Sequence, residues 1–214
     1  MWINIVNTIL AIVTIYIMWQ ITDIPIKKSI PLLIISLIPV WFVNYNPNPY
    51  LNYPFTEWGV GLIGLGMIVG AYVLAVRQDE QTKEVYNLFF YVSIIGLAVM
   101  LVHSICSEGF TLILPNGILG WIEYLIPLIF ILATIPFRGG ADTDFLLILW
   151  GVYFLLKKGG LAMLIAIFIG YLLQFIRQVI ACKREKKSYK EVNKERRPFL
   201  MNLYLGFLIG LYIY

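Results

Sequence analysis

Residues 161–182, LAMLIAIFIGYLLQFIRQVIAC, contain one charge, Arg177, and residues 183–197, KREKKSYKEVNKERR, follow with eight Lys or Arg and three Glu. Crossing about 30 Å of hydrocarbon as a helix takes about 20 mainly apolar residues, with every backbone polar group bonded inside the segment. The first stretch therefore reads as a transmembrane helix and the second as a solvated connection. Working outward by the same criterion predicts eight spans, at about 2–20, 30–43, 59–76, 88–106, 119–137, 141–156, 161–182 and 199–214. The expected fold is an all-α polytopic transmembrane helix bundle, with residues 1–214 forming a single integral-membrane domain. Composition agrees, because 60% of the 214 residues are apolar and 13% charged, against about 25% charged in an ordinary soluble domain. This excludes ordinary globular, disordered and nucleic-acid-binding classes.

The basic residues test the span count. Lys27 and Lys28 fall in the first connection, Arg77 and Lys83 in the third, and Arg138 in the fifth. The seventh connection holds the eight basic residues quoted above, with Arg177 at the end of the span before it. Odd connections thus collect fourteen of the sixteen Lys and Arg, leaving only Lys157 and Lys158 in an even one. By the positive-inside rule the odd connections face the cytoplasm and both termini lie outside it. The first twenty residues lack a basic leader and an A-x-A cleavage site, so they are expected to be a retained helix. Residues 44–58, NYNPNPYLNYPFTEW, read as an external loop with aromatic interface anchors. Glycines 59, 61, 64, 66, 70, 206 and 210 are expected to let helices approach closely. The basic seventh connection is expected to be solvated, within reach of anionic lipid headgroups.

Ionisable residues at the edges of spans are costly to keep there and mark the places to seek function. His103 is the only histidine, which excludes a two-histidine zinc protease site. Cys106 and Cys182 suffice for one disulfide at most and not for a structural zinc site, so no metal or cofactor is expected. His103 and Glu123 fall near external span ends and read as interfacial or packed residues. Asp23 and Asp142 differ: both lie in odd connections, and four crossings between them return the chain to the same face. Two carboxylates at one depth can form an aspartyl dyad. One takes a proton from the attacking water; its protonated partner hydrogen-bonds the developing oxyanion, and mutual repulsion makes them share a single proton. The simpler alternative is that each Asp caps a helix end, Asp142 especially, near a helix N-terminus.

Gly139-Gly140-Ala141-Asp142 resembles the GxGD signature, in its GGAD form, of type IV prepilin and archaeal preflagellin peptidases. Asp23 in DIPIKKSIP looks like that family's first motif, and Arg197-Pro198-Phe199 followed by LYLGFLIG is similar to the last helix of archaeal members. The resemblance implies a membrane aspartyl endopeptidase, multi-pass in the cell membrane, that needs no metal and cleaves leader peptides from pilin-like or archaellin-like precursors at the cytoplasmic face. Asp23 and Asp142 would be catalytic, and Gly139, Gly140 and Ala141 would shape the turn that presents Asp142. Those glycines are expected to break the preceding helix and let backbone approach backbone, so that added bulk displaces the carboxylate. Family members usually have two spans between the aspartates; four here imply an inserted helix pair. Asp144 stands where many members carry Lys. It would tune the pKa of Asp142 or favour a basic leader, or else be a first-turn helix acid. The extra cysteine-bearing cytoplasmic domain of many bacterial members is absent, so their methyltransferase activity is not expected. The alternatives are a small transporter or a non-catalytic membrane scaffold in which Asp23 and Asp142 bind an ion or cap helices. A presenilin-like protease fits less well, because Thr22 precedes Asp23 and no Pro-Ala-Leu tripeptide occurs.

Overall fold

Apolar runs in this chain satisfy their backbone polarity by coiling, and the computed structural model has a helix at each of the eight expected positions. It describes residues 2–22, 24–42, 62–108, 115, 117–135, 139–194 and 198–211. Their regular structure is all helical, with no strand: α1 (Trp2–Thr22), α2 (Ile30–Phe42), α3 (Leu65–Thr82), α4 (Asn87–Glu108), α5 (Gly117–Ala133), α6 (Gly140–Leu155), α7 (Gly160–Glu185), α8 (Tyr189–Lys194) and α9 (Leu200–Gly210). Three of these, α1, α4 and α7, are long and apolar enough to cross a membrane. The loop at 44–58 and glycines 59 and 61 lie outside the described residues. Large apolar side chains on α1, α4, α5 and α7, among them Ile9, Val102, Ile129 and Phe168, point outward. An apolar girdle of this extent is what a lipid-facing surface looks like.

α3 departs most from the hydropathy reading. It starts at Leu65 and runs to Thr82, where residues 59–76 were expected. Hydropathy reports where lipid is tolerated, whereas helix limits follow backbone preference. Gly64, at φ +112°, sits in a conformation open to glycine alone. Arg77, Gln78, Glu80 and Gln81 are good helix formers whatever their polarity. The helix closes where Lys83 turns left-handed at φ 60° and its N–H donates to the Asp79 carbonyl at 3.0 Å. Asp79 is therefore carried on the last turn of a helix and not in a loop.

α3 is also the centre of the bundle, packed against α1, α2, α4 and α9 and buried nearly all round from Leu65 to Val76. A helix apolar on every face belongs in such a place. Gly66 lies against the backbone of Asn7, and Gly70 against the backbone of Ala11, so α1 and α3 run parallel. Asn7, fully buried on α1, ties the pair together. Its side-chain oxygen accepts the N–H groups of Gly64 and Gly66, both at 3.1 Å, and its amide donates to the Leu62 carbonyl at 3.1 Å. This caps the start of α3 from another helix and satisfies donors that α3 cannot satisfy itself. Asn7→Leu should cost about 3 kcal/mol by leaving those groups buried and unpaired. Thermal unfolding in detergent micelles measures it, and an unchanged midpoint would refute the capping role.

The remaining helices close around this core. Gly206 and Gly210 of α9 pack against Ala166 of α7; Tyr153 of α6 donates to the Phe207 carbonyl at 3.3 Å, and Trp150 of α6 to the Tyr124 carbonyl of α5 at 2.8 Å. Lys157 and Lys158, the exceptions to the charge asymmetry, are both buried. The Lys158 ammonium donates to the Leu211 carbonyl at 2.8 Å, at the end of α9. A cation there meets the negative end of the helix. The basic connection contributes α8, which begins with a reciprocal cap: Glu191 Oε2 accepts the Ser188 N–H and hydroxyl, both at 2.8 Å.

Candidate active site

Gly139 precedes α6 in extended conformation, and its carbonyl accepts the Thr143 N–H at 3.2 Å and hydroxyl at 3.3 Å. Asp142 follows in the first turn of α6, half-buried. It lines a cavity of about 430 Å³ with Asp79 from the last turn of α3, Lys83 and Glu84 just beyond it, Gly139 to Ala141, and Phe199 before α9. One end of the bundle thus gathers the end of α3 and the starts of α6 and α9 around three carboxylates and one lysine. Since α1 runs parallel to α3, its last residue, Thr22, belongs to this end too. Asp23, the next residue in sequence, lies outside the described residues, as does Arg138.

Asp79 is the residue that sequence reading passed over. Its Oδ2 accepts the Leu200 N–H at 3.0 Å, so it caps α9 across 121 positions of chain. It stands beyond the apolar part of α3, which ends at Val76. Burial pushes its carboxyl above the ordinary range, against the opposing pull of the Leu200 and Phe199 N–H groups and of nearby Arg177. A raised carboxyl binds its proton more tightly folded than unfolded. The stability it supplies is full below the ordinary carboxylate range and is lost as pH rises through the raised value. Asp79→Asn should remove that slope, which pH-dependent unfolding of the two proteins would show; parallel curves would count against it. The missed signal was parity: Asp79 also lies in an odd connection, and only α4 and α5 separate it from Asp142. Asp79 stands in RQDEQTKE, a stretch with four other charged residues.

The glycines act differently from the sequence expectation. Gly139 and Gly140 both have ordinary backbone angles or helical placement, and neither packs tightly. Among the described residues a Cβ at Gly140 would meet nothing within 4 Å, and one at Gly139 only the Asp142 carboxylate at 3.4 Å. They leave cavity wall empty and do not bring backbones together. Gly140→Ala should therefore keep fold and activity within a few fold, Ala being the better helix former by about 1 kcal/mol. Gly140→Phe, which projects a ring into the open space, should block the site. Equal activity of both variants in a cleavage assay would refute this.

Asp144 lines a second cavity, of about 90 Å³, which shares Val85, Gly140 and Ala141 with the first. Its position corrects the expectation of a first-turn acid, because α6 starts at Gly140 and its first turn holds Asp142 alone. Glu123 lies elsewhere, on α5 against Gly159 and Gly160 between α6 and α7. Its carboxylate packs there, away from the aspartates. His103 is half-buried on α4. Cys106 and Cys182 are both free thiols. Among the described residues no group of three or more His, Cys, Asp and Glu is placed to hold a metal ion. Set beside models of known protein families, curated proteins and solved structures, the chain matches none.

Proposed function

We propose that this chain is a multi-pass membrane aspartyl endopeptidase, resembling prepilin and preflagellin peptidases, that removes leader peptides from pilin-like or archaellin-like precursors at the cytoplasmic face of the cell membrane. The observation that supports it most is that Asp79 and Asp142 line one cavity at the end of the bundle where α6 begins with GGAD. The sequence reading paired Asp142 with Asp23 across four spans. The pair Asp79 and Asp142 has two helices between its members, α4 and α5, which is the family's usual interval and needs no inserted pair.

In this mechanism the more weakly held proton leaves first. The ionised carboxylate takes a proton from water as it attacks the peptide carbonyl, and the protonated one bonds the oxyanion and then helps protonate the leaving amine. Burial of Asp79 suits it to keep the proton. The cavity lining, with Glu84 and ionised Asp142 against Lys83, keeps a net negative charge that favours a basic leader.

A scaffold reading has one specific observation in its favour, the bond from Leu200 N–H to Asp79, which makes Asp79 a helix cap. Cleavage of a pilin-like precursor by membranes bearing wild type, Asp23→Asn, Asp79→Asn or Asp142→Asn separates the readings. Loss in the last two with retention in Asp23→Asn supports the cavity pair. Loss in Asp23→Asn and Asp142→Asn alone restores the pairing read from sequence, and no cleavage by wild type favours the scaffold.

A further inference from the structure

We infer that the small cavity at Asp144 is a subsite for a basic side chain of the substrate. The inference deepens the peptidase reading and rests on it for the course of the substrate backbone. Around Asp144 the cavity walls are largely aromatic, with Tyr72, Tyr86, Phe89 and Phe90. Tyr72 and Phe89 are buried while Tyr86 is exposed, its ring stacked on Phe89 with centroids 6.5 Å apart. The rings thus form a floor and a lip, with one carboxylate in the wall.

Several physical arguments select the occupant. Aromatic faces attract cations, and a carboxylate does so more strongly through a charge-assisted hydrogen bond. An apolar side chain would strip water from Asp144 and return nothing for it. An anionic one would be repelled. The volume of about 90 Å³ is several times what one water needs and leaves room for the tip of a lysine or arginine. A helix-dipole explanation for Asp144 is weak, since that effect fades beyond the first turn and Asp144 lies past it. Because both cavities share Val85, Gly140 and Ala141, a peptide lying across Asp79 and Asp142 has a neighbouring side chain within reach of Asp144.

The test separates binding from turnover. In the full chain carrying both Asp79→Asn and Asp142→Asn, binding of a fluorescent leader peptide with lysine, or with norleucine in its place, is measured with and without Asp144→Asn. The expected result is about tenfold weaker binding of the lysine peptide by Asp144→Asn and less than twofold change for norleucine. Asp144→Lys should reverse the preference toward a glutamate peptide. Equal changes for both peptides, or no change, overturn the subsite. With active protein, replacing the lysine should lower kcat/KM about tenfold, mainly through KM. If wild type cleaves no precursor while the binding difference persists, the peptidase reading fails and the basic subsite stands. Cleavage without the binding difference has the opposite meaning.

Discussion

Membranes bearing Asp142→Asn or Asp79→Asn are expected to cleave a pilin-like precursor about a thousandfold more slowly than wild type, within the range for loss of a positioned acid or base. Asn keeps the size of the side chain and removes the exchangeable proton. The double variant should be little slower than either single one, because the two carboxylates act as a unit and their losses do not add. The choice of Asn matters at Asp79, whose carboxylate accepts the Leu200 N–H. Asn is as good a helix cap as Asp, so stability should change by only a few tenths of a kcal/mol at neutral pH. Asp79→Ala removes cap and carboxyl together and should cost about 1 kcal/mol in addition. Full activity of Asp79→Asn beside an unstable Asp79→Ala would mean that Asp79 holds α9 and does nothing else.

Gly66→Val should be the most damaging change to the fold. Any Cβ on Gly66 meets the backbone of Asn7, including its carbonyl oxygen, and backbone in the middle of a helix cannot step aside as a side-chain tip would. The added atoms push α1 off α3 and break the bonds from Gly64 and Gly66 to the Asn7 side chain. Overpacking commonly costs about 1–3 kcal/mol, and loss of the shared cap adds to it. The sum is a large part of a typical net stability of about 5–15 kcal/mol. We expect little folded protein by size-exclusion in detergent, and near-normal yield for a change at an outward residue such as Ile9→Val. Wild-type yield and melting of Gly66→Val would refute the close contact between α1 and α3.

The sequence alone determined a helical chain of apolar runs, because hydrocarbon leaves a backbone no other way to satisfy its polar groups; of the eight spans read from it, the structure gives three helices the length and apolarity to cross a membrane. It also marked Asp142, since a glycine pair before an acid at the start of an apolar run announces a helix N-terminus. It did not determine which helix is central. Lipid and protein interior are equally apolar, so an apolar run reads the same in either, and only packing shows that α3 is buried while α5 faces outward. Lys157 and Lys158 counted as loop charges until their burial was seen, with Lys158 capping α9 from 53 positions away. Asp79 was lost in the same way. Hydropathy ends its span at Val76 and treats the residues beyond as loop, but helix propensity continues α3 to Thr82 and turns Asp79 toward α6 and α9. That two acids 63 positions apart share one cavity depends on where three helix ends meet, and contacts so distant in the chain are decided by tertiary packing alone.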